Sequence, residues 1–213
     1  MDPVQAPVVF DPLSLLLDDL VRQGWSVQPG FFPAELTDAL SAELHALEAA
    51  DALRRAGVGR DGDYRLDEET RGDRIRWLNG GTPAQRDYLA RMDALRQEVN
   101  RGLFLGLFDF ESHFALYPPG ARYAKHHDNF AGGGPRKLST VSYLNRAWAP
   151  GHGGLLRLYD PRDEDRLIVE VEPRADTLVC FLSEEFPHEV TDAVEPRASV
   201  VGWFRVRGEV PLA

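Results

Sequence analysis

After Gly106 the hydrophobic pattern of this chain changes period, and that change constrains its fold more than any single motif. Before it, apolar residues recur every three or four positions: Leu13, Leu16, Leu17, Leu20 and Val21, then Leu36, Leu40, Leu44 and Leu47, then Leu89, Met92, Leu95 and Val99. Each set makes one stripe on a helix. Pro12 suits a first helical position and Gly24 a helix end, and the second helix begins near Pro33. Thr82-Pro83 offers an N-cap followed by proline in the first turn. Trp25 to Gln28 and Ile75 to Leu78 read as brief strands between the helices. Beyond Gly106 come short apolar runs at 108–117, 138–144, 154–159, 167–171, 177–182, 188–190 and 199–206, separated by Pro, Gly and Asp. Many short strands with such punctuation imply a sandwich or barrel. Helices first and strands afterwards predict one α+β domain, with helices buttressing a β-sandwich.

The chain has 213 residues, enough for a single domain with a substantial core. A formal net charge of -10 argues against binding nucleic acid or an anionic membrane. No apolar run approaches the roughly 20 residues needed to span a bilayer. Met1-Asp-Pro-Val-Gln does not read as a signal peptide. The lone cysteine, Cys180, lies in an apolar run, where a buried inert thiol is expected, and it fits a reducing cytoplasm. A monomer is the default expectation.

The residues that carry chemistry centre on Tyr123-Ala-Lys-His-His-Asp-Asn-Phe130. If this stretch is extended, His126 and Asp128 share a face and His127 points away. One imidazole and one carboxylate supply two-thirds of a 2-His-1-carboxylate iron site. His188, at the start of a late strand, is the candidate for the missing ligand. On the last strand Arg197, Ser199, Val201 and Trp203 share a face. If that face is interior, Arg197 needs an anion, which its planar fork would hold bidentately; if it is exterior, water suffices. Gly57 to Arg74 is charged and aperiodic, either a solvated loop or a lid.

The order His-x-Asp, a distant His, then an arginine about ten residues on resembles the 2-oxoglutarate- and Fe(II)-dependent dioxygenases. Local matches are similar to the prolyl 4-hydroxylase branch, the animal oxygen-sensing enzymes and their bacterial relatives. They are Arg71-Gly-Asp-Arg-Ile-Arg-Trp77, Tyr117-Pro-Pro-Gly120, Tyr123 to Asn129, Ser142-Tyr-Leu-Asn145, Gly153-Gly-Leu-Leu-Arg157, Pro187-His-Glu-Val190 and Arg197 to Trp203. The resemblance implies a double-stranded β-helix, or jelly-roll, core over about 106–207 on helical support over about 11–103, in one domain. It implies Fe(II) held by His126, Asp128 and His188, and 2-oxoglutarate held by Arg197 with Tyr143, Tyr117 and Trp203. It adds O2 as oxidant, ascorbate as reductant, and a lid involving Asp61, Arg71, Asp73, Arg76 and Trp77. The implied reaction hydroxylates a proline of a protein substrate, with a translation protein such as elongation factor Tu as one candidate, and releases succinate and CO2. A hydroxylase of a free amino acid or other metabolite is one alternative, and a non-catalytic metal or oxoglutarate sensor another.

Overall fold

The computed structural model describes residues 11–57, 70–129 and 134–207. Its helices are α1 (Pro12–Gln23), α2 (Ala34–Ala49) and α3 (Pro83–Leu103). The strands that precede or separate them are β1 (Trp25–Gln28), β2 (Arg54–Arg55) and β3 (Arg74–Trp77). The strand-rich half holds β4 (Leu107–Tyr117), β5 (Tyr123–His126), β6 (Arg136–Tyr143), β7 (Leu156–Asp160), β8 (Asp163–Val171), β9 (Leu178–Leu182), β10 (His188–Val190) and β11 (Arg197–Val206). Among the described residues no helix is long and apolar enough to cross a membrane.

The helix ends follow local chemistry. Gly24 closes α1 in the left-handed region, at a φ of 78°, with its N–H donating to the Leu20 carbonyl. At the start of α3 the Thr82 hydroxyl accepts from the Gln85 N–H and donates to Glu43, tying this end to α2.

Two antiparallel sheets face each other in a jelly-roll sandwich. The larger runs β1-β9-β6-β11-β4-β3-β2, the smaller β5-β10-β7-β8. Strand alternation sorts the larger sheet's side chains cleanly. Phe114, Leu116, Leu138, Leu178, Cys180, Ala198, Val200 and Phe204 pack against Leu16, Leu40, Leu44, Tyr88, Met92 and Val99 of the helices. From the alternate positions, Val141, Tyr143, Val179 and Phe181 meet Leu156, Leu158 and Val171 of the smaller sheet. Each aliphatic side chain so buried contributes on the order of 1.5–3 kcal/mol. The helices therefore clamp one face of the large sheet, leaving the other to build a site.

Three details depart from expectation. The extended stretch from Tyr123 stops at His126, and His127 to Asn129 form a bend. β8 begins at Asp163, four residues before its apolar part, because its first half is polar and exposed. β2 is only two exposed arginines and carries no hydrophobic signal at all.

Candidate metal centre

β5 and β10 are neighbours in the smaller sheet, and their register sets His126 directly across from His188. The two rings lie 4.2 Å apart between centroids. Asp128 reaches the same point from the bend after β5: its Oδ1 is 3.8 Å from His126 Nε2 and its Oδ2 is 3.5 Å from His188 Nε2. The ligand atoms of His126, Asp128 and His188 all lie within 4.8 Å of one another. The extended premise thus fails at Asp128, yet the pairing it predicted holds because the bend returns the carboxylate to the His126 side. His127 turns instead toward Glu164, 3.7 Å away.

The surroundings prepare these side chains for a cation. Nδ1 of His126 lies 2.7 Å from the Ala124 carbonyl, and Nδ1 of His188 lies 3.1 Å from that of Phe186. A carbonyl can only accept, so both Nδ1 atoms carry the proton and both Nε2 lone pairs face Asp128. The Ser139 hydroxyl donates to Asp128 Oδ2 at 2.6 Å and shares a 2.8 Å hydrogen bond with Ser183. Burial pulls the His126 imidazole well below its ordinary range, with the His188 ring adding to the effect. Burial opposes ionisation of Asp128, but attraction to the two neighbouring imidazoles in their protonated form, with the Ser139 hydroxyl, outweighs it and holds the carboxyl low. Two neutral imidazoles and one carboxylate on adjacent positions are the donor set that suits non-haem Fe(II).

The bracing extends outward. Tyr123 stacks on His126, with centroids 3.6 Å apart, and the Arg71 guanidinium sits 4.7 Å above the Tyr123 ring. Arg71 is in turn held bidentately by buried Asp73, at 2.7 and 3.1 Å. Arg71 and Asp73 therefore stand against β5, and Arg76 and Trp77 stand on paired strand β3. Asp61 lies outside the described residues.

Arg71, Trp77 and Tyr123 line a cavity of about 420 Å³ between the sheets together with His126, Asp128 and His188. Arg197 enters it from β11, and only 1% of this residue is exposed. Its Nε donates to the Gly154 carbonyl at 2.8 Å and its Nη1 to the Ser199 hydroxyl at 3.2 Å. Among the described residues no carboxylate pairs with it. The Tyr117 and Tyr143 rings flank the guanidinium, with centroids 4.9 and 5.1 Å away. Burial pushes both phenols up, so they stay protonated. The Tyr143 hydroxyl is buried without a hydrogen-bond partner. A buried cation without an anion, beside an unsatisfied hydroxyl, fits the far carboxylate of a dicarboxylic acid. Trp203 also lines the cavity, its indole N–H unpartnered, under the Arg136 guanidinium at 3.6 Å.

Sequence reading did not single out Ser139 or His113. Each shares a face with a residue that was singled out, Ser139 with Tyr143 on β6 and His113 with Tyr117 on β4, but the direction of that face is set only by the sheet register. His113 is buried between Trp77 and Trp203, with centroids 5.1 and 5.5 Å away, and burial lowers its pKa to about 4.

Comparison with known proteins agrees with this chemistry. A model of the 2OG-Fe(II) oxygenase superfamily matches residues 112–205. A solved prolyl-4-hydroxylase from Pseudomonas putida is 47% identical, covering 92% of this chain and 100% of its own, with a TM-score of 0.82. A Trichoplax adhaerens prolyl hydroxylase, solved with a hypoxia inducible factor peptide fragment, is 24% identical over 91% of this chain and 88% of its own, at a TM-score of 0.79. An epimerase solved with Fe3+, alpha ketoglutarate and nogalamycin RO shares the fold at 19% identity, over 92% of this chain and 85% of its own, with a TM-score of 0.67. Full-length similarity to the Pseudomonas enzyme and a matching family model together show that this chain belongs to the 2OG-Fe(II) oxygenase superfamily.

Proposed function

We propose that this oxygenase hydroxylates a prolyl residue of a protein substrate. In this reading His126, Asp128 and His188 hold Fe(II), and Arg197 with the Tyr143 hydroxyl holds the distal carboxylate of 2-oxoglutarate. Tyr117 and Trp203 wall the same pocket. Iron, 2-oxoglutarate and O2 together supply the oxidation, which inserts one oxygen atom into a substrate C–H bond and leaves succinate and CO2. The chain's own residues bind, orient and shield, and none need act as a nucleophile or general base.

The observation that carries the cosubstrate assignment is buried Arg197, which lacks a carboxylate partner among the described residues and lies in the same cavity as the His-Asp-His cluster. An unpaired buried charge costs several kcal/mol, and a bidentate carboxylate relieves that cost. The peptide-substrate assignment is supported by the full-length likeness to the Pseudomonas prolyl-4-hydroxylase. Trp77, half exposed at the rim, leaves the cavity an approach for a residue presented by another chain. We also place the chain in the cytoplasm, as a monomer.

Succinate release and a one-oxygen mass gain should be measured with prolyl peptides, Fe(II), 2-oxoglutarate and ascorbate, with elongation factor Tu among the candidate proteins. Asp128→Ala should abolish turnover and tight Fe(II) binding. Arg197→Met should keep the metal while raising the 2-oxoglutarate requirement by roughly tenfold or more, as expected for a lost charge-assisted pair. Turnover of small prolines or other metabolites in place of every prolyl peptide would overturn the substrate assignment. Intact Fe(II) affinity in the Asp128 variant would overturn the ligand set.

A further inference from the structure

The margin of the larger sheet carries a second hollow, of about 450 Å³, lined by Arg54, Arg55, Ile75, Arg76, Trp77 and Asn79. It adjoins the metal cavity, because Ile75 and Trp77 line both. β2 is the terminal strand of that sheet, so the hollow lies along its edge. Arg54 and Arg76, which line it, are exposed, and among the described residues no carboxylate lines it. Several exposed arginines elsewhere are matched to a carboxylate, as in Arg91 with Asp87, Arg146 with Asp38 and Arg174 with Glu172. Arg54 and Arg76 make no ion pair among the described residues, although the chain has 34 acidic side chains to 24 basic ones. Among the described residues, these two arginines make a positive edge that is a local exception to the overall field of a molecule of net charge -10.

We propose that this groove binds an acidic stretch of the protein substrate, next to the residue that enters the metal cavity. The inference rests on the peptide-substrate reading above and adds the chemistry of the flanking sequence. A peptide leaving the cavity crosses Trp77, whose exposed ring offers an apolar step, and then reaches Arg76 and Arg54. Guanidinium forks recognise Asp and Glu carboxylates in plane, which favours a peptide carboxylate over a diffuse counter-ion. The strongly acidic remainder of the chain repels a long polyanion such as RNA, whereas a few carboxylates fit inside the patch.

The test uses the full chain and two labelled peptides that share a central proline and differ only in flanking Asp/Glu against Asn/Gln. Fluorescence anisotropy reads the groove, and succinate release from the same peptides reads hydroxylation. The acidic peptide should bind roughly tenfold more tightly at low salt, with the advantage shrinking as salt rises. Combining Arg54→Glu with Arg76→Glu should remove the advantage, leaving the neutral peptide and the Fe(II) and 2-oxoglutarate affinities unchanged. The milder pair Arg54→Gln and Arg76→Gln should remove part of it. Equal binding of the two peptides, or a preference indifferent to these substitutions, overturns the proposal. So does tighter binding of a single-stranded oligonucleotide than of the acidic peptide, or charge reversal that changes sedimentation in place of peptide binding. Succinate formed equally from both peptides would sink the groove and leave prolyl hydroxylation standing. Groove binding as expected with no succinate from either peptide would do the reverse.

Discussion

Ser139 shows how much of a metal site can hang on one hydroxyl. It fixes one oxygen of Asp128 at 2.6 Å and is itself fixed by Ser183, so the carboxylate is aimed before any cation arrives. Ser139→Ala should weaken Fe(II) binding by roughly 10–100-fold, the usual cost of losing such a partner, with the circular dichroism spectrum unchanged. Affinity equal to that of the wild type would mean that the bend after β5 aims Asp128 unaided. The candidate ligands were legible in the sequence, His126 and Asp128 as an imidazole and a carboxylate two positions apart and His188 as a lone histidine opening a late strand. Ser139 was not: a small hydroxyl in an apolar strand looks the same whichever way it faces, until a cross-strand register fixes its direction.

At the scale of the element, β11 and the Gly153-Gly154 turn act together. Gly154 has a φ of 58°, and a Cβ there would stand 2.9 Å from Arg197 Cδ. Its carbonyl also receives the Arg197 Nε–H. Gly154→Ala combines backbone strain with a push on the guanidinium, and should raise the 2-oxoglutarate concentration needed for half-saturation by roughly tenfold. Fe(II) affinity should persist, since His126, Asp128 and His188 lie elsewhere; parallel titrations of metal and cosubstrate check both halves. Strand existence was readable from punctuation and helix existence from the stripes with their caps. Strand β11 hid its orientation, because helices cover one face and the cavity the other, so both sets of alternating residues are buried. The burial of Arg197 therefore emerged only from the tertiary structure. β2 escaped notice for the opposite reason, having no buried residue to betray it.

For the whole molecule, the interior sets a pH limit. His113 has a pKa of about 4 in the folded chain against about 6.5 when unfolded, with burial the main cause. The unfolded chain therefore binds more protons between those two values, and stability falls as pH drops through that window. By linkage this one residue removes about 2–3 kcal/mol of stability from the metal-free protein between pH 7.5 and pH 4.5. Urea unfolding at both pH values should show His113→Gln losing correspondingly less than the parent. An identical loss in both would show that His113 is wetter than its setting between two tryptophans implies.

The cross-strand pair His126 and His188 belongs to the smaller sheet, whereas Arg197 belongs to the larger. A metal seated on one and a dicarboxylate anchored on the other would act as a rivet through the sandwich. Loading would then suppress opening of the two sheets against each other, and catalytic readiness would coincide with mechanical closure of the protein's own interior.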